Sequence, residues 1–393
     1  MAVHSSQIYL DHAATTPMVQ PAIDALTAQI LKTGNASSLH STGRSVRKEL
    51  EEARELIAKA AGCAAIDVIF TGTGTEADNL AIKGLYWLGA KAGKKVIITS
   101  TFEHHAVMDP IKWLQEHEGA TVIEIPVNKS GSLNLAALEE AVNQHGEKVA
   151  FISIMHSNNE IGTVQPIDQV VKIAGDIPVH TDAVQSFGKI EFNFNQLGLA
   201  AATISAHKVG GPLGVAALIL KKGVNIEPVL HGGGQERDIR SGTFNAPGII
   251  AFAAAASNAM AQMKARDVKI RKLKGLLITK VLAAVPDAWV NGQSENSLPG
   301  VVNITFPGTD NEGLLLLLDM AGIACSTGSA CSAGVHRPSH VLMAIGLTEE
   351  ETTSSLRFSL GESNTEEEIE KLATVIASVV EKSKSAANKK VFK

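Results

Sequence analysis

Lys208 closes the stretch Thr203-Ile204-Ser205-Ala206-His207-Lys208, a short apolar run that reads as a buried strand and gives way to the irregular turn Gly210-Gly211-Pro212-Leu213-Gly214. A lysine at such a junction can project into a cleft. Upstream, Pro178-Val179-His180-Thr181-Asp182-Ala183-Val184-Gln185 reads as a similar strand, presenting an acid and an amide at its own C-terminal edge. A strand-end lysine and a strand-end aspartate in one sheet suit pyridoxal phosphate: the amine condenses with the aldehyde, and the carboxylate keeps the pyridine nitrogen protonated. The competing reading is a surface lysine beside a loop and a capping aspartate.

Other residues of reactive type also sit at strand ends. Val68-Ile69-Phe70 feeds Thr71-Gly72-Thr73-Gly74-Thr75-Glu76-Ala77-Asp78, after which apolar residues keep helical spacing through Leu88. That is a strand, a glycine-rich turn and a helix N-terminus, whose free N–H groups and dipole attract an anion while the glycines let a phosphate approach the backbone. Thr75 and Asp78 also fit a capping box. Gly72, Gly74 and Ala77 match a relaxed dinucleotide fingerprint, but the next strand, Lys95 to Thr99, does not end in the acid that would hold a ribose. His104 could stack on an aromatic cofactor and move protons, or simply cap the following helix. Asn159 lies in the polar cluster His156 to Gly162, and Asn35 lies in a small polar stretch where it could touch a ligand or make a turn. The run from His231 to Thr243 is a long polar loop, which usually means function.

These positions require a scaffold of alternating strands and helices, hence a mostly parallel, doubly wound sheet whose ligands bind outside the carboxyl ends of the strands. Val46, Leu50, Ala53, Ile57 and Ala60 form one stripe of a helix from Ser45 to Ala61. A long Ala-rich helical region from about Ala246 to Ala284 connects to a second pattern: a strand at Val301 to Phe306, a helix at Glu312 to Met320, a strand at Leu356 to Leu360 and a helix from Thr365. The lysine-rich tail, Lys382 to Lys393, is expected to fray. At 393 residues more than one core is expected, and 45% hydrophobic with 19% charged residues describes an ordinary globular protein. A net charge of -5 provides no basic field, so direct binding of nucleic acid is not expected. Three cysteines, Cys63, Cys325 and Cys331, make no disulfide framework and no zinc-like spacing, so no metal site is expected and a reducing compartment fits. Cys325 follows Gly322-Ile323-Ala324 and is expected to pack as a buried, inert residue beside a strand. Without a leader pattern or a membrane-length apolar run, the expected location is the cytoplasm, with no membrane partner.

The segments YLDHAATTP, GTGTEADNLAIKG, EHHAV, SIMHSNNEIG, HTDAVQ, SAHKVGGP, HGGGQERDIRSGT, STGSACS and SLRFSLG occur in this order. Together they resemble the cysteine desulfurases of the class V aminotransferase family, fold-type I pyridoxal-phosphate enzymes. The resemblance implies a large domain over residues 15–260 with a mostly parallel seven-stranded sheet, and a smaller α+β domain from residues 1–14 and 261–393. It implies that Lys208 carries the cofactor, Asp182 pairs with the pyridinium nitrogen, Gln185 meets the phenolate oxygen and His104 stacks on the ring. Gly74, Thr75, Ser205 and His207 would bind the phosphate, with Thr243 reaching across from the second subunit of a homodimer. Asn159 and Arg357, and more weakly Asn35, would hold the substrate carboxylate, and Cys331 would be the nucleophile. The length between Cys331 and Pro338 is that of the long-loop subgroup, associated with iron–sulfur and thiolation pathways. The implied reaction converts L-cysteine to L-alanine with a Cys331 persulfide, passed to a sulfur-acceptor or iron–sulfur scaffold protein. Alternatives are a selenocysteine lyase, a class V aminotransferase, or a catalytically idle scaffold of a cluster-assembly complex. Ala36 stands where the family usually has proline.

Overall fold

The computed structural model describes residues 7–292, 296–328 and 338–391, the last few of these as backbone only. The first half of the chain runs β1 (Ile8–Tyr9), α1 (Gln20–Ile30), α2 (Ser41–Ala61), β2 (Val68–Thr71), α3 (Gly74–Lys91), β3 (Val96–Ser100), α4 (His105–Glu118), β4 (Thr121–Ile125), α5 (Leu135–His145), β5 (Val149–Ser153), α6 (Ile167–Ala174) and β6 (Val179–Asp182). It continues through α7 (Phe194–Leu197), β7 (Ala201–Ser205), β8 (Ala216–Leu220), α8 (Ala246–Ala284), β9 (Trp289–Asn291), β10 (Val301–Thr305), α9 (Asn311–Met320) and β11 (Ile323–Ala324). α10 (His340–Ala344), α11 (Glu349–Thr352), β12 (Ser355–Ser359) and α12 (Glu366–Val391) complete it.

Strands β2-β8-β7-β6-β5-β3-β4 form one seven-stranded sheet, mostly parallel as the sequence pattern predicts and with the strand number that the resemblance implies. Every residue of β3, β5, β7 and β8 is buried, which is why these segments read as unbroken apolar runs rather than alternating ones. Only β8 runs against its neighbours, so β2 points the same way as β7. The C-terminal ends of β2, β3, β5, β6 and β7 therefore share one edge, and the polar residues of 71–78, 101–105, 156–162, 182–185 and 205–208 lie at those ends, whereas the Asn35 stretch and the 231–243 loop do not.

A second, three-stranded antiparallel sheet has the order β12-β10-β9, and β1 pairs with β11 in parallel. Helix α8 serves two cores. Its residues through Ala259 pack with the seven-stranded sheet, and from Ile270 onward they pack with β10, β12, α9 and α12. Several details depart from the sequence reading. α2 starts earlier, at Ser41, because His40 Nδ1 caps it by accepting from Gly43 N at 3.3 Å. The backbone of α12 stays helical to Val391 rather than fraying from Lys382. The short strands β9 and β11 carried no periodic signal, whereas a short strand is expected at the Tyr9 opening, where β1 lies.

The polar loop from His231 to Thr243 is tied down rather than loose. Glu236, Arg237 and Asp238 adopt φ of 47°, 60° and 61°, a left-handed conformation unfavourable for side chains of this kind. The buried Glu236 carboxylate offsets that strain: it accepts from Arg54 Nη2 at 2.6 Å, from Arg54 Nη1 at 2.8 Å and from the Phe70 backbone N–H at 2.8 Å. None of the described helices is long and apolar enough to cross a membrane.

Candidate active site

A cavity of about 440 Å³ opens at the shared strand edge. Its wall carries Gly74, Thr75, His104, Asn159, Asp182, Gln185, Ser205, His207, Lys208 and Arg357, residues scattered over most of the chain. Asn35 and Thr243 are exposed and away from this wall in the single chain. Asn35 instead makes an Asn turn, its side-chain oxygen accepting from Ser37 N at 2.9 Å. Cys331 lies outside the described residues.

The glycine-rich turn delivers the N-terminus of α3 to the cavity, but not with the cap that the spacing implied. Thr73, not Thr75, is the N-cap: its hydroxyl accepts from Glu76 N at 3.0 Å, while Glu76 Oε2 accepts from Gly72 N at 2.8 Å. The capping box at Thr75 and Asp78 is thereby corrected, and Thr75 is left on the cavity wall. Arg240 Nε donates to Glu76 Oε1 at 2.6 Å, fastening the 231–243 loop to this turn. Gly74 packs so closely that a Cβ there would stand 3.2 Å from Val184 Cγ2.

Lys208 follows β7 in a single helical turn, Ala206–Lys208, and its Nζ donates to the carbonyls of Ala13 at 2.6 Å and Ala14 at 2.8 Å. Burial and then the Arg357 charge push its pKa down to about 8. Gly210, just beyond, has φ of 84°, and a Cβ there would lie 2.7 Å from Val19 Cγ1, so this turn requires glycine. Asp182 ends β6 and accepts from Val184 N at 2.8 Å. Burial raises its pKa, against lowering by His104, that backbone bond and Lys208. His104 caps α4, its Nδ1 accepting from Ala106 N at 3.1 Å, which leaves Nε2 as the protonated nitrogen of a neutral ring. Burial holds its pKa below the ordinary value. His207, whose Nδ1 lies 3.3 Å from Thr15 Oγ1, is likewise pushed down to about 4 by burial and the Lys208 and Lys189 charges.

Arg357, in β12, reaches the cavity from the second sheet. Its Nη2 donates to Asp11 Oδ1 at 2.7 Å and its Nη1 to the Asn159 carbonyl at 3.1 Å, while Nε is buried without a partner. Asp11 was not singled out in the sequence, although it lies inside the YLDHAATTP segment. Asp78, read in the sequence only as half of a capping box, lines the cavity in the first turns of α3, and burial together with Asp182 raises its carboxyl well above the usual range. Cys325 is buried beside β11, as expected, and burial pushes its thiol up to about 12.

The donor set fits pyridoxal phosphate. The free N–H groups of α3 with Thr75, Ser205 and His207 suit the phosphate, Asp182 suits a cationic ring nitrogen, and Lys208 suits the aldehyde. The unpartnered Arg357 Nε leaves a donor for a carboxylate.

The Aminotransferase class-V family model matches residues 8–372. An IscS-like cysteine desulfurase of Mycobacterium tuberculosis is 45% identical over 384 residues, covering 96% of this chain and 98% of that protein. The solved structure of a NifS-like protein superposes with a TM-score of 0.88 at 34% identity, covering 95% of this chain and 99% of the other. SspA in complex with cysteine follows with a TM-score of 0.78 at 32% identity, over 91% of this chain and all (100%) of SspA. The seven-stranded sheet is thus the fold-type I arrangement. With the strand-edge cavity, the near-complete coverage and these relatives in agreement, the chain belongs to the class-V aminotransferase family, in its cysteine desulfurase branch.

Proposed function

We propose that this protein is a pyridoxal-phosphate-dependent cysteine desulfurase that moves the sulfur of L-cysteine onto Cys331 and releases L-alanine. The observation that carries the reading is a single wall on which Lys208, the Asp182 carboxyl, the first turn of α3 and the Arg357 guanidinium meet. The family match and the cysteine complex of SspA support the cofactor and the substrate. Bound there, pyridoxal phosphate supplies an electron-withdrawing ring that makes the α-proton of an amino acid removable.

The chain's own residues do the rest. Gly74, Thr75, Ser205 and His207 hold the phosphate, joined by Thr243 of a second copy. Asp182 would keep the ring nitrogen protonated, Gln185 would donate to the ring oxygen, and the neutral His104 would stack on the ring. Lys208 holds the cofactor and moves the α-proton at Nζ, for which a pKa near 8 is well placed. Arg357 and Asn159 clamp the substrate carboxylate, to which Asn35, exposed and away from the cavity wall in the single chain, contributes more weakly. The Cys331 thiolate attacks the substrate sulfur: the S–S bond forms, the carbon–sulfur bond breaks, and the carbon that keeps the electron pair takes a proton to become the methyl group of alanine. L-cysteine and one thiol become L-alanine and one persulfide, in balance. Burial holds both Cys63 and Cys325 up to about 12, out of competition as thiolates, which supports Cys331 as the nucleophile.

The persulfide passes to an acceptor or iron–sulfur scaffold protein, or toward tRNA or cofactor thiolation, in the cytoplasm, as in the long-loop subgroup. A division at residues 15–260 against 1–14 and 261–393 is supported by the change of core along α8 between Ala259 and Ile270. The test is to mix purified protein with L-cysteine and measure alanine, sulfide and the visible cofactor band. Alanine should form, and Lys208→Ala should lose the band and the activity. Alanine from selenocysteine alone would replace this reading with a selenocysteine lyase; amino-group transfer to a keto acid without desulfuration would replace it with an aminotransferase.

A further inference from the structure

Lys189 belongs to no catalytic assignment made so far, yet its ammonium touches the active site from behind. Its Nζ donates to Gln185 Oε1 at 2.9 Å, and the other end of the same amide, Nε2, donates to the Ala13 carbonyl at 2.8 Å. That carbonyl also accepts from Lys208 Nζ at 2.6 Å. We propose that Lys189 is a positioning residue, which orients the Gln185 amide so that its NH2 group, and not its oxygen, faces the cofactor cavity. The inference rests on the reading of Gln185 as the donor to the ring oxygen.

The physical reason is the ambiguity of a carboxamide. Its two ends have nearly the same shape, and either can face a cavity, whereas an ammonium can only donate. Lys189 therefore selects the oxygen and turns the NH2 group toward Ala13 and Lys208. With the amide reversed, Oε1 would meet the lone pairs of the ring oxygen. It would also compete as an acceptor for Lys208 Nζ.

The surroundings of Lys189 give no other account of its charge. It forms no ion pair among the described residues; burial, and then the cations Lys208, Arg266 and Arg357, lower its pKa to about 7, so the donor-only ammonium predominates below that pH, where the affinities are to be compared. Keeping a cation among cations is costly unless a specific contact is made. Lys189 approaches through a second cavity of about 330 Å³, which shares Ala13 and Lys208 with the first. That space leaves room for a longer cationic side chain.

The test is the affinity of the apoprotein for pyridoxal phosphate, read by absorbance, in a double-mutant cycle. Lys189→Met is expected to weaken binding about tenfold, the size of one well-placed hydrogen bond to a charged group. Gln185→Ala should weaken it at least as much, and the double variant should be no weaker than Gln185→Ala alone. Lys189→Arg should bind within about twofold of the parent, a rescue that loss of packing would not produce. Lys189→Gln keeps a donor and substitutes for Lys189→Met if the latter does not fold, with an intermediate affinity expected. An unchanged affinity for Lys189→Met, or an equal further loss in the Gln185→Ala background, overturns the proposal. If Gln185→Ala binds like the parent while Lys208→Ala loses the visible band, the positioning role falls and the reading of the site stands. If Lys208→Ala keeps the band, both fall.

Discussion

The residue on which the chemistry turns is Lys208, whose amine the fold makes easier to deprotonate than a free lysine. Burial and Arg357 lower its pKa to about 8, against the raising influence of Asp182 and Asp11. Only the neutral amine attacks an aldehyde, and it is scarce below that pKa and abundant above it. The rate at which apoprotein takes up pyridoxal phosphate should therefore rise through about pH 8 and level off by about pH 9; a rate still climbing steeply near pH 10 would contradict it. A second contrast separates the cysteines. Cys325 is packed beside β11 with its thiol pushed up to about 12, so Cys325→Ala should still turn over. Cys331→Ala should keep bound cofactor yet release no alanine and carry no persulfide. Intact-protein mass after brief exposure to L-cysteine checks this: a gain of about one sulfur atom on Cys331→Ala, absent from Cys325→Ala, would reverse the assignment.

At the scale of elements, the turn between β2 and α3 divides its labour between adjacent threonines. Thr73 caps the helix and Thr75 is left facing the cavity. Thr73→Ala should lower the stability of the apoprotein by about 1 kcal/mol, seen as a lower thermal midpoint. Thr75→Val should leave that midpoint unchanged and weaken pyridoxal-phosphate binding by about tenfold, the loss of one charge-assisted hydrogen bond. Opposite results would restore Thr75 as the cap. The 231–243 loop illustrates a similar economy: its three left-handed residues are held by the Arg54–Glu236 pair on one side and Arg240–Glu76 on the other. Those anchors tie a loop with little regular structure to β2 and to the first turn of α3.

For the whole molecule, the single chain brings Asp11, Asn159 and Arg357 together across two cores, while Thr243 and Asn35 remain at the surface. Leu31 and Leu39, 82% and 89% exposed, flank the Asn35 turn, an apolar surface that a second copy would cover. Sedimentation should therefore give twice the 41.3-kDa chain mass. Leu39→Glu should shift the protein toward monomer, and Thr243→Ala should speed loss of the cofactor from the dimer. A stable monomer that retains cofactor and full activity would remove the dimer from this account.

Much of this was legible in the residues themselves. Fully buried strands leave continuous apolar runs, and each run ended in a cluster of polar residues, so the sheet and its reactive edge followed from local pattern. The placement of Asp182 at the end of a strand, and of Lys208, His104 and the α3 turn just beyond one, was legible for the same reason. What local pattern could not supply was anything made by partners far apart in sequence. The Thr73 cap is the exception: Thr73 and Glu76 stand at capping-box spacing, so it was available locally and was passed over for the overlapping Thr75–Asp78 pattern. The Glu236 anchor joins residues 182 positions apart, and Arg357 meets Asp11 across 346. Short strands such as β9 and β11 have too few residues to show a period and exist because they pair, β9 with β10 and β11 with β1. Sequence alone determined which side chains were available and at which strand ends they would stand; only tertiary packing decided which of them touch, which are buried, and therefore which protons they hold, because burial and long-range contact are properties of the folded chain.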